Sequence, residues 1–384
     1  MTRLTLHALC IASLLALFPT ALRAEEEAAE PAAHPTSGYD KGFFIRSADG
    51  SQQLTLQGRI QARFATEIVE DADPEAAFSI PRARVTLKGK HWAGKVSTKL
   101  QLDFGKGGAA LKDALVDFKA SKSLKVAVGQ YKKPFSRQQL TSSGKLAFVD
   151  RAITDKAFGA GRDIGLMLHN DFSKSPTFEW AAGVFNGTGD KARFTGDVEV
   201  DPATGEGSVT SGKFSNVPSL FQPTLVLRAG YNHGKLEGYS EADLEGGGLR
   251  FGVAASLASD VGSADGDFVH RQSVDAILKI QGFSCTGELF LAQDATGSAF
   301  GDLAAAALGA RLQAGYTIGG KYYLGARWAL VDPAEADDAD QELLLVLTDF
   351  SKGHGLKYQL DGGALLHGDG STDILVRAQL QLSF

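Results

Sequence analysis

The chain has 384 residues, 45 of them glycine and only 2 methionine, with 43% apolar residues and a formal net charge of −6. That length allows two ordinary soluble domains or one large barrel, and no block of basic charge calls for a nucleic-acid partner. Of the two cysteines, Cys10 and Cys285, only the second lies beyond the N-terminal apolar run, which excludes an internal disulfide.

Residues 1–24 place Arg3 before an apolar core from Leu4 to Phe18 and a small-residue exit near Ala24, the pattern of a secretory signal peptide. Residues 25–38, EEEAAEPAAHPTSG, are acidic and rich in Ala and Pro without an apolar period, and read as a disordered lead segment. No later run reaches about 18 apolar residues, which excludes helical membrane spans. A soluble exported protein or a membrane β-barrel over residues 39–384 remains.

From Leu54 onward the chain breaks into segments of alternating polarity divided by Gly, Asp, Ser and Pro clusters, as in an antiparallel all-β protein. Sixteen strands are expected near 54–68, 78–91, 95–105, 111–119, 124–131, 163–172, 177–186, 222–232, 249–258, 269–280, 282–293, 303–317, 320–331, 341–350, 355–366 and 374–384. In the first, Leu54, Leu56, Ile60, Ala62 and Phe64 oppose Thr55, Gln57, Arg59, Gln61 and Arg63. Val85 and Leu87 oppose Arg82, Arg84, Thr86, Lys88 and Lys90; Leu100, Leu102 and Phe104 oppose Lys99, Gln101 and Asp103. Later segments repeat the pattern, with Cys285 on an apolar face beside Phe283 and Leu289. The last alternates Ile374, Val376, Ala378, Leu380, Leu382 and Phe384 against Leu375, Arg377, Gln379, Gln381 and Ser383. An even number of strands with one continuous apolar face suits a closed membrane barrel, since closure leaves no unpaired edge for lipid to meet.

Six stretches then resemble one family: GYDKGFFIRSADGSQQLTLQGRIQARF (38–64), RARVTLKGK (82–90), LKDALVDFK (111–119), VGQYKKPFSRQQLTSSGKLAFVDR (128–151), GRDIGLML (161–168) and GVFNGTG (183–189). Their order is that of the phosphate-selective porin O/P family of Gram-negative outer membranes. The resemblance implies a 16-stranded antiparallel transmembrane β-barrel, a homotrimer in outer-membrane lipid, a terminal aromatic residue read by the assembly machinery, and a constriction loop between the fifth and sixth strands. Here that loop is about 132–162, far longer than an ordinary hairpin connection.

An oxyanion that sheds part of its water in a narrow lumen needs charged and neutral donors in compensation. Two groups offer them: Arg59, Arg63, Arg82, Arg84, Lys88 and Lys99 on the polar strand faces, and Lys132, Lys133, Arg137, Ser142, Ser143, Lys145, Arg151 and Arg162 on the loop and its flanks. Asp103, inward on the third strand, would weaken binding and so aid release. Asp113, Asp117, Asp150 and Asp163 are the partners if these cations instead tie the loop to the wall. From Leu54 to Arg162 there are 20 Lys+Arg against 10 Asp+Glu, and from Asp163 onward 15 against 29. Acidic surface loops explain that partition, as does an anion path in the first half. The function expected is passive diffusion of small anions, inorganic phosphate or polyphosphate favoured, with a weakly selective porin or a barrel adhesin as the alternatives. The histidines lack paired metal spacing and no GxSxG elbow occurs, so no enzyme, metal or cofactor is expected.

Overall fold

The computed structural model describes residues 36–69, 73–200, 207–218, 220–261, 268–294, 306–333 and 339–384. The expected signal peptide and residues 25–35 of the lead segment lie outside the described residues.

Sixteen strands make the wall. They are β1 (Gln53–Ile68), β2 (Glu75–His91), β3 (Val96–Asp103), β4 (Ala110–Lys119), β5 (Lys125–Lys132), β6 (Arg162–His169), β7 (Phe178–Phe185) and β8 (Thr224–His233), then β9 (Arg250–Asp260), β10 (Phe268–Ile280), β11 (Phe283–Asp294), β12 (Ala306–Ile318), β13 (Tyr322–Asp332), β14 (Asp340–Asp349), β15 (Leu356–Leu366) and β16 (Thr372–Ser383). Each runs antiparallel to the next, including β7 and β8 across a long connection. The ring closes where β16 lies beside β1, pairing Ile374 with Ile68 and Ser383 with Arg59. These strands match the sixteen expected segments one for one. Their ends shift by a few residues: β6 stops at His169 rather than 172, because Asp171 enters a left-handed turn at φ 67°.

The period of two sorts the side chains as lipid and a polar interior require. Outward-facing Leu289, Leu324 and Leu345 are 63%, 63% and 67% exposed on the barrel's outer surface, and Cys285 lies on the same face as Leu289. Inward-facing Arg228, Asp275, Glu288, Arg311, Arg327 and Lys357 are buried.

Connections 92–95, 120–124, 281–282 and 319–321 are tight and share one end of the barrel, which we call the turn end; barrels of this architecture hold it toward the periplasm. Gln281 and Gly282 both have positive φ, 48° and 91°, as a two-residue hairpin turn requires. At this end a small hairpin, Ser37–Tyr39 with Phe43–Arg46, extends the sheet beside the first residues of β1. Residues 37 and 38, assigned to the lead segment by composition, therefore begin this hairpin. The chain terminus is seated next to it: Gly58 N donates to Phe384 O at 2.7 Å, and the Phe384 ring lies over Gly58, where an added Cβ would come within 2.3 Å.

Two connections turn into the lumen. Residues 133–161, between β5 and β6, carry α1 (Arg137–Leu140) and α2 (Ile153–Phe158). Phe135 and Phe158 are buried against inward-facing Phe290, with small neighbours Ala258, Ala292 and Ala307 leaving room; the Phe158 and Phe290 rings stack at 5.2 Å. The second is 234–249, between β8 and β9, which should be an ordinary turn-end connection. Its Tyr239, Ser240, Glu241, Ala242 and Asp243 are instead buried. Both segments dock on the wall supplied by the second half of the chain, so open space is left beside β1–β6.

Candidate functional site: the lumen beside strands β1 to β6

The alternation of β1, β2 and β3 aims a column of cations into the space left open, and their register stacks it in levels. Arg59 faces Arg84, which faces Asp103; Lys88 faces Lys99. The inserted segment meets the column at Ser142 and Ser143. Arg59 donates to the Ser142 and Ser143 hydroxyls, both at 3.0 Å, and Arg84 donates to Ser143 at 3.2 Å. This is the narrowing between wall and loop.

The cations differ in what neutralises them. Arg84 Nε donates to Asp103 at 2.7 Å, and Asp103 also accepts from the backbone of Ala83 and Gly105. Arg63 and Arg82 share Asp150, at 3.1 and 3.0 Å. Lys99 and Arg162 share Asp113, at 2.5 and 2.9 Å. Arg59 has only hydroxyl partners, its Nε is buried without a hydrogen bond, and among the described residues neither it nor Lys88 has a carboxylate in ion-pair range.

Two chambers adjoin the narrowing. The one toward the turn end is about 660 Å³ and is lined by Lys41, Arg59, Arg84, Lys88, Lys145 and Lys352 among others. A second, about 300 Å³, lies beside β3–β6 and is lined by Lys99, Lys132, Arg162, Asp113, Asp117 and His169 among others; it also reaches the turn end, at Asp171 and Phe172. Arg84, Lys99, Gln101 and Ser142 line both, so these side chains form the boundary the two spaces share. At the turn-end mouth, outside the membrane span, burial would raise the Asp171 carboxyl, yet hydrogen bonds from Lys174 and Lys125 hold it below its ordinary value.

The remaining candidates are engaged with the inserted segments or the opposite wall. Lys133 is 4% exposed and paired with Asp163 at 3.5 Å. Arg137 is 2% exposed; its Nε donates to Asp275 at 2.7 Å, its Nη1 to Gly238 O at 2.9 Å, and its guanidinium lies over the Tyr239 ring. Lys132 donates to the carbonyls of Leu140 and Thr141, and Arg151 to those of Gln138 and Thr141, so both brace the inserted segment from within. Lys145 contacts Glu237 across the chamber. Asp113 and Asp163 thus hold Arg162 and Lys133, Asp150 of the inserted segment holds the wall residues Arg63 and Arg82, and Asp117 pairs with Lys125.

Sequence reasoning missed Lys41, Lys352 and Glu237, and with them the whole lumenal course of 234–249. It also left open why the second half is acidic. Glu179, Asp275, Glu288, Glu342 and Asp361 face inward and pair with Arg228, Arg137, Arg311, Arg327 and Arg377, so part of that acidity is a buried lattice rather than surface loops.

The family described as phosphate-selective porin O and P matches residues 54–269. Among solved structures, the fold is similar to the anion-selective porin from Comamonas acidovorans at a TM-score of 0.56 and 15% identity, over 87% of this chain and 100% of that one. It is also similar to a loop L8 deletion mutant of OmpT, an outer membrane protein of Vibrio cholerae, at 0.54 and 12%, over 86% and 99%. A mutant of Rh. blastica porin superposes at 0.51 and 14%, over 86% and 100%. Identities this low establish a shared fold and nothing finer. No curated protein matches the chain.

Proposed function

Since the chain belongs to the phosphate-selective porin O and P family, and is an outer-membrane porin of the Gram-negative envelope and a channel rather than an enzyme, we propose that it passes small anions by passive diffusion, with phosphate or polyphosphate favoured. The observation that carries this reading is Arg59, a guanidinium at the narrowing that has no carboxylate in ion-pair range among the described residues. An anion arriving there trades water for charge-assisted donors, which outweigh neutral ones. Ser143 Oγ accepts from both the Arg59 and the Arg84 guanidinium groups and so holds the two side by side at the narrowing. Lys88, one level toward the turn end, receives the anion next, and Lys41 and Lys352 extend the cationic lining to the exit.

We take the assembly to be a homotrimer, in keeping with the family resemblance. A shallow apolar recess on the outer wall of β2–β5, where Gly89, Ala114 and Gly129 lie between Leu87, Leu100 and Val128, is consistent with close barrel-to-barrel contact.

A weakly selective anion pore is the second reading, favoured by Asp103, Asp113 and Asp150, which offset Arg84, Lys99, Arg162, Arg63 and Arg82. Titrating inorganic phosphate against chloride current in a planar bilayer separates the two. Block at millimolar phosphate or below supports the phosphate reading; a chloride current indifferent to phosphate leaves the weakly selective pore.

A further inference from the structure

The chamber between the narrowing and the turn end is predominantly cationic. Among the described side chains that line it, Lys41, Arg59, Arg84, Lys88, Lys99, Lys145 and Lys352 are basic and Glu237 is the one acid; Phe384, the last residue, lines it as well. Glu237 comes from the lumenal connection 234–249, which no ordinary turn would bring there, and its carboxylate meets Lys145 of the other inserted segment.

The ion pairs of the lumen divide by access to water. Arg137–Asp275 and Arg228–Asp275 are 0–2% exposed and lie in a dry lattice, where separating the partners would strand a buried charge. Lys145–Glu237 is 39% and 45% exposed. A pair so wetted is held by little free energy, and a passing anion of comparable charge can displace the carboxylate. The backbone beneath Glu237 does not depend on that contact. Lys279 Nζ donates to Glu237 O at 3.0 Å, Ala147 N and Gln313 donate to Glu241 at 2.8 and 3.1 Å, and Arg250 and Gly282 N hold Asp243 at 2.8 and 2.9 Å. The side chain is free to swing while its segment stays anchored.

We propose that Glu237 is a specificity-determining release residue: an exchangeable counter-ion that yields Lys145 to an incoming oxyanion and then reclaims it, returning the anion to the periplasmic side. The inference rests on the anion reading above and adds to it the residue that keeps a strongly cationic exit from becoming a trap. Conduction needs binding strong enough to admit a solute and weak enough to let it go.

The test uses inorganic phosphate against chloride current across oriented single channels of the wild type, Glu237→Gln, Lys145→Gln and the double variant. Glu237→Gln should lower the half-blocking phosphate concentration about two- to five-fold, the range expected for removing one exposed competitor charge, and lengthen each block. In the Lys145→Gln background the same change should have no effect. Unaltered half-block in Glu237→Gln overturns the inference, as does an equal shift with Lys145 absent, which would mark a diffuse field rather than an exchange. A wild type that prefers cations overturns the anion reading itself, and the reversal potential recorded on the same channels distinguishes that failure from the others.

Discussion

Removing the Arg59 guanidinium should do more damage to anion passage than removing any neutralised cation of the lumen. An anion 4 Å from an unopposed positive charge gains about 1 kcal/mol in bulk water and about 4 kcal/mol at the effective dielectric near a protein surface. With tenfold in affinity for every 1.4 kcal/mol or so, Arg59→Ala should raise the half-blocking phosphate concentration at least about fivefold and move the reversal potential toward the cation side. Arg59→Lys keeps the charge and loses the fork onto Ser142 and Ser143, so it should retain most of the preference. The control is the joint change Arg84→Ala with Asp103→Ala, which deletes a pair bonded at 2.7 Å and leaves the net charge of the narrowing unaltered. Phosphate block of chloride current and reversal potential are measured on all three. If deleting the neutral pair costs as much as Arg59→Ala, or if Arg59→Ala behaves as wild type, the assignment of Arg59 as the uncompensated charge is refuted.

Arg137→Ala should act on stability: breaking a buried ion pair costs about 3–5 kcal/mol, and since Asp275 keeps two contacts from Arg228 the lower end applies. A lower thermal midpoint with a larger, noisier conductance is expected, whereas full stability with reduced selectivity would put Arg137 in the conduit. At the opposite rim, the His367 imidazolium, hydrogen-bonded to Asp373, titrates above its ordinary value. Its contribution to holding the 367–371 connection is complete below the unfolded-chain value near 6.5 and fades as pH rises through the raised folded value. Imidazole resonances of the folded barrel report this, and titration at or below 6.5 contradicts it.

The wall was legible because lipid on one side and a polar lumen on the other write the strand period directly into the sequence. From Ile374 to Phe384 every second residue is apolar, and the same holds from Leu225 to Tyr231 and from Tyr322 to Leu330. The column of Arg59, Arg84, Lys88 and Lys99 was legible for the same reason, since parity alone decides which face a strand residue occupies. The inserted segments obey no such period. Arg137 has the local signature of any basic loop residue, and its burial follows from Asp275, 138 positions away in sequence. The connection GKLEGYSEADLEGGGL, 234–249, reads as a glycine-rich acidic turn, yet Glu241 and Asp243 are buried because Ala147 N and Gly282 N, from distant parts of the chain, donate to their carboxylates. Charge counts indicated that the two halves differ; only the fold shows that the second half spends its carboxylates on holding two lumenal segments, while the first keeps its cations along open space.

The most direct test of a cationic conduit is the reversal potential of the wild-type channel across a potassium chloride gradient. Chloride-selective polarity is the predicted result, diminishing as salt rises and screens the lining. A potassium-selective polarity, with Arg59 and Lys88 intact, would contradict the account.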